Sequence, residues 1–168
     1  MLINVHQTRL AEGLPLPARA HETDIGFDIP TAVDFSVAPG ESVKVPTGLV
    51  FDLPEEPLMV GGVAYRVALI IEQRTGNGGK GLIPGATVVD PGYRSDREDV
   101  NGLTLLLRNV NRPYRWRRSK GVLAFKRGDR VVQGLFMLFP VLSLSLAGAG
   151  EIRWDTERGG KRFGATGR

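Results

Sequence analysis

The chain has 168 residues, a formal net charge of +4 and no cysteine. That length fits one domain with its own core, and the missing thiols exclude disulfides, zinc–thiolate sites and cysteine nucleophiles. No stretch reaches the roughly 20 apolar residues that span a bilayer, and MLINVHQTRLAEG lacks the basic-then-apolar pattern of a signal segment. A soluble, intracellular and cytoplasmic protein without membrane contact is therefore expected. The positive charge attracts polyanions in general and selects none of them.

In chain order, Phe35 to Val37 and Ser42 to Val45 alternate apolar with polar residues, as strands with one buried face do. Val67 to Ile71 is a continuous apolar run, expected to be a strand covered on both faces. Residues 75 to 81 (TGNGGKG) read as a flexible loop. VVDPGY at 88 to 93 places Asp90 at a strand end, just before a Pro-Gly turn. Leu103 to Leu107 is broken only by Thr104, and Val131 to Phe139 only by Gln133 and Gly134; both read as further covered strands. Proline and glycine punctuate these segments at short intervals, and no segment carries a sustained helical period with caps. The fold class is therefore all-β with little helix. One domain over residues 1–148 is expected, followed by a mobile glycine-rich arm over 149–168.

Two stretches are rich in cations. RPYRWRRSK at 112 to 120 interleaves arginine with Tyr114 and Trp116, which suits contact with nucleic acid or protein and equally suits a solvated hairpin loop. RGGKRFGATG at 158 to 167 sets Phe163 among glycines, cations and Thr166. Its backbone N–H groups can close on a phosphate, its cations can neutralise one, and the ring offers a face to a base. Taken alone, Asp90 reads as a turn aspartate, Arg74, Thr75 and Gly76 as a polar loop, and Gln133 as an amide seeking a partner inside an apolar strand.

DIGFDI at 24 to 29, QRTG at 73 to 76, VVDPGY at 88 to 93, KRGDRVVQ at 126 to 133 and the terminal RGGKRFGATG occur in the order of the five motifs of the trimeric deoxyuridine triphosphatase (dUTPase) family. PGESVKVPTGLVFDLP at 39 to 54 is similar to the strand and PTG turn between that family's first two motifs. The resemblance implies a jelly-roll-like β-barrel, a homotrimer with shared active sites, Mg²⁺ carried across the phosphates, and hydrolysis of dUTP to dUMP and pyrophosphate.

It further implies Asp90 as the base that activates the attacking water and Tyr93 as the ring under the deoxyribose. A hairpin from Gly85 through Val88 and Val89 would read uracil with backbone groups. Arg74, Thr75, Gly76 and Gln133 would contact substrate, and Asp28 would be tied to the arginine of the second motif and to water around the metal. Arg158, Phe163, Gly164 and Thr166 would be the lid of the arm. Thr87, Asn77, Gly78 and Ala165 depart from the family pattern, and the connections around 95–102 and 112–121 are longer than usual. Asp129 and Arg130 are expected in a structural ion pair or subunit contact. Two other readings stay beside this one. A dCTP deaminase would need a glutamate near the position of Leu106, and a binding or regulatory relative would hydrolyse weakly.

Overall fold

The computed structural model of the chain describes residues 2–93, 99–113, 121–148 and 151. Twelve strands follow in chain order: β1 (Asn4–Gln7), β2 (Phe27–Pro30), β3 (Phe35–Val37), β4 (Ser42–Pro46), β5 (Leu49–Asp52), β6 (Leu58–Val60), β7 (Val63–Gln73), β8 (Leu82–Pro84), β9 (Val88–Val89), β10 (Thr104–Asn109), β11 (Leu123–Phe125) and β12 (Arg130–Pro140). A single turn of helix, α1 (Thr75–Gly79), and a 3₁₀ turn at Arg9–Ala11 are the helical elements among the described residues. None of these is long and apolar enough to cross a membrane.

The fold is all-β and jelly-roll-like. The largest sheet runs β2-β12-β7-β6 with β9 beside β7, and smaller sheets pair β1 with β5, β3 with β11, and β4 and β8 on either side of β10. Side chains alternating off these strands meet in one core, where Ile29, Val45, Leu49, Leu69, Leu107 and Val131 are fully buried.

The turn at 46–48 is fixed by backbone geometry. Gly48 has φ +64°, and a Cβ there would stand 2.7 Å from the Ala11 amide nitrogen, so glycine alone fits. Thr47 donates to the Leu103 carbonyl from both its amide and its hydroxyl, at 3.0 and 2.8 Å. The Gly48 amide reaches Asn101 O at 2.8 Å, and Thr8 Oγ1 reaches Val100 O at 2.5 Å. The described end of the long connection before Leu103 is thus tied to the core.

Three expectations change. Residues 75–79 form a helical turn rather than a flexible loop, although each glycine in a helix costs about 1 kcal/mol relative to alanine. What holds it is a tertiary contact, described below. Val67–Ile71 is the covered centre of an 11-residue strand, but β12 is covered only in its first half. From Met137 to Pro140 it is exposed, as are Val141, Leu142, Leu144 and Leu146 beyond it. Arg130 pairs with Asp28 rather than with Asp129, whose carboxylate closes its own turn by accepting from the Lys126 amide at 2.7 Å.

Asp34 ties the β11–β12 turn to β3, accepting from Lys126 Nζ and from the Arg127 amide, both at 2.8 Å. The Lys126 ammonium, followed by the Arg127 amide, lowers the Asp34 carboxyl below its ordinary value, and Asp34 in turn raises Lys126. A depressed carboxyl stabilises the fold above its unfolded-state pKa and ceases to do so as pH falls through its folded-state value. The difference in melting temperature between the wild type and Asp34→Asn is therefore expected to be larger at pH 7 than at pH 3. A difference that does not change with pH would contradict it.

Candidate functional site

The site residues fall into two groups, set apart by the register of the large sheet. The first sits where β2, β12 and the end of β7 meet. Asp28 lies opposite Gln133, which lies opposite Glu72, so three polar side chains cross adjacent strands. Asp28 accepts from Arg74 Nε at 2.6 Å on one carboxylate oxygen and from Arg130 Nη1 at 3.4 Å on the other. With its side chain only 11% exposed, this carboxylate contacts two guanidinium groups and helps to aim both. The expected tie between Asp28 and Arg74 is present, and Arg130 joins it.

Arg74 Nη1 also donates to the Arg130 carbonyl at 3.0 Å, and among the described residues Nη2 has no hydrogen bond. Thr75 and Gly76 follow on the exposed side of α1. Gln133 finds its partner in the Gln73 carbonyl at 3.2 Å, and its amide crowds Gly26, where a Cβ would stand 2.6 Å from Oε1. The half-buried amide in the apolar strand is thus satisfied and still accessible to a ligand.

The second group surrounds Asp90. β9 pairs with β7 so that Val89 lies opposite Leu69 and Val88 opposite Ile70. Asp90 follows immediately, exposed, and its carboxylate has no hydrogen bond or ion pair among the described residues. Its carbonyl accepts from the Tyr93 amide at 3.1 Å, closing the Pro-Gly turn, and Tyr93 is 57% exposed. Beside Asp90 lies a cavity of about 390 Å³ lined by Arg66, Ala68, Val88, Pro91 and Phe139 among others, within the size range of small-molecule sites. Arg66 escaped the sequence reading because nothing around it forms a motif. Only the pairing of β7 with β9 brings it to this cleft, where it donates to the Glu55 carbonyl at 2.5 Å.

The segment from Gly85 to Val89 is not a hairpin. β8 pairs with β10 and β9 with β7, so the chain crosses between two sheets. The Gly85 amide is donated to Leu106 O and the Thr87 carbonyl accepts from the Ile71 amide, both at 2.7 Å. Gly85 therefore cannot offer its N–H to a base. Because antiparallel pairing alternates, Val88 turns its N–H and C=O away from β7. Val88 is exposed and Val89 buried, which leaves Val88 as the residue able to present backbone groups outward. Arg158, Phe163, Gly164 and Thr166 lie outside the described residues, as does most of the basic stretch at 112–120.

Curated relatives cover almost the whole chain. A deoxyuridine 5′-triphosphate nucleotidohydrolase of Mycolicibacterium vanbaalenii is 33% identical over 171 residues, covering 95% of this chain and 92% of the relative. The chain belongs to the dUTPase family. A dUTPase of Mycobacterium leprae is likewise 33% identical over 95% of the chain, and one of Lactococcus lactis is 29% identical over 92%. No family model matches the chain. Among solved structures, a glycine-to-serine mutant of the dUTPase of Staphylococcus bacteriophage 80α with dUpNHpp aligns with a TM-score of 0.73 at 21% identity, covering 99% of each chain. An aspartate-to-asparagine mutant of the dUTPase of phage φ11 of S. aureus, described with a structural Mg(II) ion, aligns with a TM-score of 0.68 at 20% identity, over 90% of this chain and 99% of that one. These likenesses establish the dUTPase fold.

Within this dUTPase, Asp28 on β2 contacts two cations, Arg74 at the head of α1 and Arg130 of β12. Asp28→Asn is expected to lower stability by about 1.5–3 kcal/mol, the range for hydrogen bonds to charged groups, as read from the urea midpoint. A midpoint that does not move would show that the cluster orders nothing.

Proposed function

We propose that the chain hydrolyses dUTP to dUMP and pyrophosphate, with Asp90 accepting a proton from the water that attacks the α-phosphorus. The water oxygen bonds to phosphorus, the bond to the bridging oxygen toward the β-phosphate breaks, and pyrophosphate leaves. The observation that carries this reading is the exposed Asp90 carboxylate, free of ion pairs among the described residues and lining a cleft next to Tyr93. Tyr93 would pack under the deoxyribose and reject a 2′-hydroxyl by contact. Val88 would read the uracil edge with its outward N–H and C=O, while Gly85 and Val89 shape the turn around it.

Arg74, Thr75, Gly76 and Gln133 would bind the phosphate end of the substrate, and Arg158, Phe163, Gly164 and Thr166 of the arm would close over it. Among the described residues no group of three or more His, Asp or Glu side chains could hold a metal. Mg²⁺ would therefore travel on the triphosphate oxygens and offset their charge. Asp28 keeps lone pairs beyond its two arginine contacts and can reach that ion through water.

In this reading one chain would not supply the whole site. Asp90 is level with Ala68 of β7, and Arg74 follows the end of that strand six residues on with extended backbone, so the two stand about 20 Å apart at ~3.3 Å per residue. A composite site between copies brings them together, and the exposed apolar run Met137, Leu138, Phe139, Val141 and Leu142 offers a surface for such copies to bury. A homotrimer with shared sites is the assembly we infer. A deaminase reading is not favoured, because Leu106 in β10 packs against Gly85 and carries no proton-transfer group.

Release of pyrophosphate and ammonia from dUTP, dCTP, dTTP and UTP tests the reaction; pyrophosphate from dUTP alone is expected. Asp90→Asn should reduce turnover by at least about 100-fold, a typical general-base contribution, while dUTP binding changes little. Binding lost in parallel with rate would instead make Asp90 structural. Asp90→Asn and Arg74→Gln subunits, each inactive, should regain partial activity when unfolded and refolded together, since some sites then combine an intact Asp90 with an intact Arg74. Mixed assemblies verified by mass yet no more active than the separate variants would refute the shared site.

A further inference from the structure

The helical turn after Arg74 has little reason to form by itself. Its sequence is Thr75-Gly76-Asn77-Gly78-Gly79, it spans five residues, and no side chain caps its start. Glycines lose more backbone freedom on ordering than any other residue. Yet Arg74 stands at the head of this turn, its carbonyl accepting from the amides of Asn77 at 3.0 Å and Gly78 at 2.8 Å. Something outside the turn must hold it.

Asn77 is the one buried side chain of the turn, 7% exposed. Its Nδ2 donates to the Arg130 carbonyl and to the Val131 carbonyl, each at 3.0 Å. These carbonyls lie where β12 shifts register against β2 between Arg130 and Val132, a bulge that leaves backbone acceptors without strand partners. The Arg130 carbonyl is the same atom that accepts from Arg74 Nη1 at 3.0 Å. One acceptor on β12 therefore fixes both the guanidinium and the turn that carries it, while Asp28 holds Nε from the other side. A leucine at this position would fill similar space but leave both carbonyls without these donors.

We propose that Asn77 is a positioning residue for the phosphate-binding end of the site, clamping the glycine-rich turn to the β12 bulge so that the Arg74 guanidinium is held in place for the β- and γ-phosphates. The inference rests on the reading of Arg74 as a phosphate ligand. It accounts for how three glycines in one turn coexist with a precisely held arginine: the side chain supplies the order that the backbone lacks.

The test measures dUTP kinetics together with inhibition by pyrophosphate and by dUMP, for the wild type, Asn77→Leu and Asn77→Ser. Asn77→Leu is expected to raise KM for dUTP and the inhibition constant of pyrophosphate about tenfold, with dUMP inhibition unchanged. Asn77→Ser retains one donor and should fall between, and it is the variant that decides should Asn77→Leu not fold. A merely structural role would weaken pyrophosphate and dUMP together or lower only the active fraction, and either result overturns the inference, as does an active variant with unchanged constants. A wild type that neither turns over dUTP nor binds pyrophosphate overturns the functional reading first, and this inference with it.

Discussion

The antiparallel pairing of β7 with β12 is the constraint on which the rest of the structure depends. Both strands run 11 residues, and their register continues unbroken from Val132 opposite Gln73 to Pro140 opposite Tyr65. At one end the ladder brings Gln133 beside Asp28 and delivers Arg74 to the edge; along its length it seats β9 and so places Asp90. Because an extended strand cannot fold back on itself, the distance between these two ends is fixed by residue count. The proposal of a site shared between copies rests on this separation.

Around that ladder, polar order is concentrated at its Arg74 end. Asp28 pairs with Arg74 and Arg130, Asn77 satisfies the bulge carbonyls, and Gln133 turns to the Gln73 carbonyl. Each of these groups would be costly if left unpaired near the core, and together they satisfy one another. The Asp90 end is built in the opposite way. There the carboxylate is exposed, Tyr93 stands out from the turn and Val88 presents a bare strand edge. One end is fixed in advance by paired charges; the other is left open to solvent.

The exposed half of β12 follows from the same geometry. A strand of this length extends past the core that its first half covers, so Met137, Leu138 and Phe139 emerge into solvent in a single copy. In the sequence the run from Val131 to Phe139 looks uniformly apolar, and apolarity does not say whether the covering surface belongs to the same chain or to another.

Much was legible from residues alone. Alternation at Phe35–Val37 and Ser42–Val45 and the apolar runs at 67–71 and 131–139 marked strands because pleated backbone throws side chains to opposite faces with a period of two. The five ordered motifs marked the family. What the sequence could not express was every relation that depends on pairing between distant segments. That Arg130 would turn to Asp28 and not to its neighbour Asp129, that Gly85 would spend its amide on Leu106, that Arg66 would face the Asp90 cleft, and that TGNGG would be a helical turn were all decided by tertiary contacts. Composition set the glycine turn as a loop since its backbone entropy favours disorder, and two hydrogen bonds from one buried asparagine reversed that preference.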